Sequence, residues 1–175
     1  MKYLYIHGLN STGENSSKEL CNILNEEVIP LKWNSECSYR TNVDKLQEQI
    51  ENYSNEDIVL IGSSLGGFYT RILSNVNNLP CVLINPVMDI KESFEVIKNI
   101  PFYANITSEL IKSYDLAMVA DIVLPRVVIV GLKDTIIDPK KTIEFWKNKC
   151  NLIISENEEH QIKNFEPFRE VIKNL

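Results

Sequence analysis

Glycine is scarce in this chain, with six in 175 residues, about half of ordinary usage. A chain this poor in glycine needs unusual backbone where it does place one. Histidine is scarcer, with two, His7 and His160. The four cysteines, Cys21, Cys37, Cys81 and Cys150, form no C-x-x-C pair. With the histidines far apart there is no zinc pattern, and no metal is expected. Cys81 lies in the apolar run Pro80 to Ile84 and reads as a buried thiol. No basic stripe is present, and the formal net charge is −6. That balance argues against nucleic acid or an anionic membrane as the main partner. No apolar stretch is long enough to span a bilayer. No charged, then apolar, then small-residue leader precedes the first strand, so a reducing cytoplasm is the expected location.

What is present is an alternation of short apolar runs with helical patterns. The expected strands are Lys2–Ile6, Val28–Trp33, Asp57–Gly62, Cys81–Asn85, Arg126–Gly131 and Asn151–Ser155. The expected helices are Ser17–Glu26, Asn42–Tyr53, Gly66–Asn75, Pro139–Lys149 and Phe165–Asn174. Asp138 and Pro139 form a helix start, as N-cap and first-turn residue. The alternation predicts one α/β domain over 1–175, a mostly parallel sheet of about six strands with helices on both faces. Continuous apolar strands such as Ile58-Val59-Leu60-Ile61 suit a sheet buried on both sides. Residues 86–124 break the rhythm. Pro86, Pro101 and Pro125 punctuate them, and Phe94, Ile97, Ile100, Phe102 and Tyr103 add apolar surface without a clear strand. Two readings stay open for this insert: a lid or pocket wall above the carboxyl ends of the strands, or a surface excursion packed on the core.

The glycines carry the chemistry. Gly62-Ser63-Ser64-Leu65-Gly66-Gly67 stands between an expected strand and an expected helix. Gly62-x-Ser64-x-Gly66 is the nucleophile-elbow pattern, in which residues flanking the serine must be small because the turn is tight. A phosphate-binding loop is a poor alternative, because Phe68 stands where that motif needs lysine. Ser63 lacks glycine at both −2 and +2. Ser64 is therefore the candidate nucleophile, and it needs a base to take its proton. His160 is the only histidine after it and falls between the last strand and the last helix. Asp134, just past Gly131, is the candidate acid that would orient the imidazole. Asp138 competes, but the capping role explains it better. The oxyanion donors are expected to be the backbone N–H of Leu65, at a helix start, and that of Leu9, in the loop after the first strand. Gly8 lies in that loop. His7 is in the wrong chain order for a base, and its expected role is to shape the turn.

The chain resembles a small α/β-hydrolase, and more closely the YqiA/YcfP-like family of small bacterial esterases. The resemblance rests on Tyr3-Leu4-Tyr5-Ile6-His7-Gly8-Leu9-Asn10-Ser11 and on Leu60-Ile61-Gly62-Ser63-Ser64-Leu65-Gly66-Gly67-Phe68-Tyr69. It continues in Ile84-Asn85-Pro86, Gly131-Leu132-Lys133-Asp134 and the His160 segment. It implies a compact hydrolase fold, esterase or thioesterase activity on a small-molecule ester or acyl thioester, and no cofactor. A monomer is compatible with the sequence, which does not fix the oligomeric state. Glu156-Asn157-Glu158-Glu159 replaces the family's usual small residues before His160, and these carboxylates are expected to raise the imidazole pKa by proximity. A non-catalytic ligand- or protein-binding module on the same fold is the alternative.

Overall fold

The structure, a computed structural model, describes residues 1–116 and 121–175. Six parallel strands form one sheet: β1 (Lys2–Ile6), β2 (Val28–Leu31), β3 (Ile58–Ser63), β4 (Cys81–Ile84), β5 (Arg126–Gly131) and β6 (Asn151–Ser155). Their order is β2-β1-β3-β4-β5-β6, and every pairing is parallel. Pro30 lies in β2, at the sheet edge, where its missing N–H leaves no central ladder bond unmade.

The side chains of the strands alternate between two cores, as the pleat requires. Leu4, Ile6, Leu60, Leu83, Val128 and Val130 face one side. There they meet Leu46 and Ile50 of α2 (Tyr39–Glu51), Phe68, Tyr69 and Leu73 of α3 (Leu65–Asn77), and Trp146 of α6 (Pro139–Trp146). Tyr3, Tyr5, Val59, Ile61, Val82, Ile84, Val127 and Ile129 face the other side. These pack on Leu20 and Leu24 of α1 (Glu14–Leu24) and on Phe168 and Ile172, at and within α7 (Arg169–Lys173). Each fully buried aliphatic side chain contributes about 1.5–3 kcal/mol. A one-residue slip of any central strand would exchange its two faces.

The strand order also places the site. β1 lies between β2 and β3, so the chain leaves β1 toward one side and returns to build the other half of the sheet. In an open parallel sheet, the crevice at such a reversal lies beyond the carboxyl ends of the strands. The loops after β1 and β3, carrying His7-Gly8-Leu9 and Ser64, meet there.

The segment 86–124 is helical where the sequence suggested no element. α4 spans Ile90–Ile97, capped by the Asp89 carboxylate, which accepts from the Glu92 N–H at 3.0 Å. α5 spans Ser108–Lys112, capped by the Thr107 hydroxyl. Short 3₁₀ turns cover Pro101–Tyr103 and Ser113–Leu116. Residues 117–120 of this segment lie outside the described residues. Its return to the sheet is anchored by Asp121, whose carboxylate accepts from the Arg71 Nε–H at 2.8 Å and pairs with Arg126 at 3.3 Å. Both guanidinium groups lie over the Trp146 ring. Among the described residues, no helix is long and apolar enough to cross a membrane.

Candidate active site

Ser64 caps the start of α3 with φ 54° and ψ −123°, a conformation that costs a non-glycine residue of order 1–3 kcal/mol. The surroundings enforce it. The Ser64 N–H donates to the Ile84 carbonyl at 2.9 Å, and its carbonyl accepts from Gly67 and Val87, each at 3.0 Å. The turn closes only because its flanks are bare. A Cβ on Gly62 would lie 2.0 Å from Thr70 Oγ1 and 2.5 Å from the Gly66 carbonyl oxygen. A Cβ on Gly66 would lie 2.0 Å from the Ile6 carbonyl oxygen, inside β1. Gly67 packs on Pro86, and Gly8 packs on the Cβ of Ser64.

His160 and Asp134 meet the serine from two other loops. His160 Nε2 is 3.0 Å from Ser64 Oγ, and His160 Nδ1 is 2.8 Å from Asp134 Oδ2. An ionised carboxylate only accepts hydrogen bonds, so Nδ1 carries the proton and Nε2 accepts from the Ser64 hydroxyl. Asp134 is itself fixed: its Oδ1 accepts from the Ile136 and Ile137 N–H groups at 2.8 and 2.9 Å. Its side chain is 1% exposed. Asp138 stands apart from this chain of bonds. It caps α6, accepting from the Lys140 N–H at 2.9 Å.

Of the two expected oxyanion residues, Leu65 follows the serine directly and Leu9 shares its cavity linings. Leu65 is the first residue of α3, so its N–H has no intrahelical partner. Neither the Leu65 nor the Leu9 amide has a protein acceptor among the described residues. His7 does not approach Ser64 through its ring. It stacks on Trp33 at 5.0 Å, donates from Nδ1 to the Gly8 carbonyl at 2.8 Å, and accepts the Trp33 indole N–H on its own carbonyl. Burial pushes its imidazole below the ordinary value, with the Gly8 bond opposing that shift. This places His7 as the scaffold of the β1 turn.

Two cavities adjoin Ser64. One is apolar, with residues of α4, α5 and their connections supplying most of its wall, so the 86–124 segment lines a pocket. The other is a groove containing both Ser64 and His160, edged by Asn10, Ser11, Ser16, Ser63 and Gln161.

The glutamates before His160 have partners of their own. The Glu158 and Glu159 carboxylates engage Lys163: the Lys163 N–H donates to Glu158 at 2.8 Å, and Lys163 Nζ donates to Glu159 at 2.9 Å. That bond holds the Glu159 carboxyl below its usual range. The glutamates belong to the turn that carries His160, and the expectation that they act on the imidazole has no contact behind it.

The sequence reading missed the role of Asn85. It is 2% exposed and donates from Nδ2 to the Glu159 and His160 carbonyls, each at 2.9 Å. Its Oδ1 accepts from the Gly131 N–H at 2.8 Å. One carboxamide thus joins the ends of β4 and β5 to the His160 loop. The available signal was a polar residue directly after an all-apolar strand, at the ligand end of the sheet. The Tyr5–Ser63 hydroxyl pair, at 2.7 Å beside the elbow, was also missed.

The profile of the Uncharacterised protein family (UPF0227) matches residues 2–175. A comparison with curated protein sequences finds no match. Among solved structures, Est1E from Butyrivibrio proteoclasticus superposes with a TM-score of 0.76 at 16% identity, covering 99% of this chain and 85% of that one. Mouse alpha/beta hydrolase domain-containing protein 10 gives 0.70 at 15%, covering 99% and 88%. Paleococcus ferrophilus monoacylglycerol lipase gives 0.66 at 16%, covering 99% and 92%. At these identities the likeness shows the α/β-hydrolase fold, the one expected.

Proposed function

The chain belongs to the UPF0227 family, and we propose that it is a serine hydrolase cleaving carboxylic esters or acyl thioesters through Ser64, His160 and Asp134. The observation that carries this reading is the unbroken chain of hydrogen bonds from Asp134 through His160 to a serine held in strained backbone. Strain at one residue, enforced by four main-chain bonds, exposes the hydroxyl above the sheet.

In this reading Ser64 Oγ attacks the acyl carbon while its proton passes to His160 Nε2. Asp134 holds the Nδ1–H tautomer and stabilises the imidazolium. The Leu65 and Leu9 amides take the oxyanion, each worth about 3 kcal/mol in the transition state. The C–O or C–S bond to the leaving group then breaks, and His160 returns the proton to that atom. Water repeats the sequence on the acyl-enzyme: its oxygen bonds to the acyl carbon, its proton passes through His160, and Ser64 leaves with a proton. No cofactor takes part. The alternative, a binding module, gives no reason for the hydroxyl to be aligned on a buried carboxylate through an imidazole.

The test is covalent labelling. A fluorophosphonate should add to wild type at Ser64, located by peptide mass spectrometry, and hydrolysis of a p-nitrophenyl ester should stop in proportion. Ser64→Ala should neither label nor hydrolyse while keeping its Tm. Labelling at another residue, or none at all, refutes the assignment.

A further inference from the structure

Resting on the serine-hydrolase reading, we infer that the substrate is an oxygen ester of an uncharged, apolar carboxylic acid with an uncharged, hydroxylated alcohol, its two halves lying in the two different cavities beside Ser64. The position of the proton donor assigns the halves. When the acyl–oxygen bond breaks, the proton on His160 Nε2 goes to the alcohol oxygen, so that oxygen must leave on the His160 side. His160 lines the groove and not the apolar pocket. The alcohol therefore occupies the groove, and the acyl chain occupies the pocket, against Leu65 and away from the imidazole.

The chemistry of each wall then selects its half. The pocket is walled by Val87, Ile90, Phe94, Ile97, Leu110 and Tyr114, and no charged side chain lines it among the described residues. Three of the hydroxyls that reach it are engaged, while that of Tyr103 has no partner among the described residues. Ser93 donates to the Asp89 carbonyl, Ser35 accepts the Asn10 N–H, and Tyr114 is bonded to Tyr69. A carboxylate or ammonium at the end of an acyl chain would lose its hydration there without gaining a partner. The pocket thus admits hydrocarbon and rejects dicarboxylic half-esters and amino-acyl esters.

The groove has polar and apolar walls, the latter from Leu9, Phe102, Ile162 and Phe165, and it is free of charge. Gln161 makes no hydrogen bond to another described residue and Ser11 only accepts one, so both have donors to offer, whereas Asn10 is bonded to Phe102 and Asn105 and Ser63 to Tyr5; none of the lining residues among those described is Lys, Arg, Asp or Glu. The nearby Lys163 is taken by Glu159. Neutral hydroxyls find partners in such a groove. A phosphorylated alcohol or a nucleotide thioester finds no cation in it, and the net charge of −6 opposes it further. A quaternary ammonium finds no lining carboxylate.

The experiment measures kcat/KM on a panel that varies one half at a time, at low ionic strength. The alcohol arm compares the butyrate esters of glycerol, choline and glycerol phosphate, with butyryl-coenzyme A. The acyl arm compares glycerol butyrate with the glycerol half-ester of succinate. Glycerol butyrate should exceed each charged-alcohol ester and the thioester by about tenfold, and the half-ester by about a hundredfold. Two variants locate the halves. Gln161→Arg should raise the ratio of glycerol phosphate butyrate to glycerol butyrate by about two- to fivefold, an effect that shrinks with salt. Phe94→Ala should move the acyl optimum to longer chains without changing the order of alcohols. Activity on the thioester or a charged ester equal to that on glycerol butyrate, lost in Ser64→Ala, overturns the inference and leaves the hydrolase reading standing. So does a Gln161→Arg effect on acyl preference instead of on the alcohol. No Ser64-dependent hydrolysis of any ester refutes the hydrolase reading, and this inference with it.

Discussion

The carboxamide of Asn85 holds the main-chain carbonyl of His160 at 2.9 Å. The contact is to backbone, so it sets where the imidazole starts and leaves its ring nitrogens free for Asp134 and Ser64. With the Glu159 carbonyl and the Gly131 N–H also on Asn85, one side chain registers the loop against the ends of two strands.

Replacing Asn85 with Gly is therefore expected to lower kcat about ten- to a hundredfold, with a smaller change in KM. Glycine is the right probe because Asn85 has φ 41°, which alanine would resist. The loss leaves the buried Gly131 N–H unpaired, at about 1–3 kcal/mol before water enters, and frees the part-buried Glu159 and His160 carbonyls. Steady-state kinetics well below the measured Tm separates positioning from unfolding. An unchanged kcat in folded Asn85→Gly would show that the loop holds itself.

The two aspartates after β5 should separate cleanly. Asp134→Asn should reduce kcat by about a thousandfold or more, because the amide leaves Nδ1 without its carboxylate acceptor. Asp138→Ala should cost about 1 kcal/mol of stability through the lost cap of α6, while ester hydrolysis persists. Thermal melts and initial rates on both variants check this. The reverse pattern would move the acid to Asp138.

Gly66→Ala should destabilise the protein by about 3 kcal/mol, read from urea unfolding. The new Cβ would meet the Ile6 and His7 carbonyl oxygens at 2.0 and 2.3 Å, and these are main-chain atoms that cannot swing aside. Helix α3 would have to lift from β1, moving Leu65 and Ser64 with it. A variant as stable as wild type would show that the elbow tolerates a wider turn.

His7 predicts an acid-sensitive fold. Its folded-state pKa lies below the unfolded value, because burial disfavours the imidazolium. The unfolded chain therefore binds more protons near and below pH 6.5, and stability rises with pH there. His7 contributes its full stability above the unfolded value and loses it as the pH falls below it. His7→Gln should flatten the drop in Tm between pH 7.5 and 5 relative to wild type. An equal drop in both proteins would assign the sensitivity elsewhere.

Asp121→Asn should destabilise by about 2 kcal/mol, since it leaves the Arg71 and Arg126 guanidinium groups without their shared carboxylate. For a chain of this size that is a fall in Tm of about 4–8 °C. A shift under one degree would mean that the Trp146 ring and neighbouring groups satisfy both arginines.

Much of the fold was legible because parallel strands buried on both faces write themselves as short apolar runs. Val127 to Val130 and Cys81 to Ile84 have no polar residue to blur them. β2 ended earlier than expected, at Leu31 instead of Trp33, because Trp33 turns to stack on His7 and stops pairing. α4 escaped notice because its apolar residues Ile90, Phe94 and Ile97 give only two turns of pattern between prolines. Adjacency in sequence gave no sign that Glu158 and Glu159 bond Lys163.

By itself the sequence determined the local geometry: which strands are buried, and that the backbone around Ser64 must be tight, since glycines at 62 and 66 leave room that no other residue would. Order along the chain also singled out His160 and Asp134 as partners. Only the tertiary structure decided that these residues touch. Hydrogen bonds across 96 and 26 residues of separation depend on strand order and on the loop held by Asn85. It alone decided that one side of Ser64 is apolar and the other of mixed polarity, because the walls of each cavity come from distant segments. Periodicity and spacing report on neighbours along the chain; a pocket is made of neighbours in space.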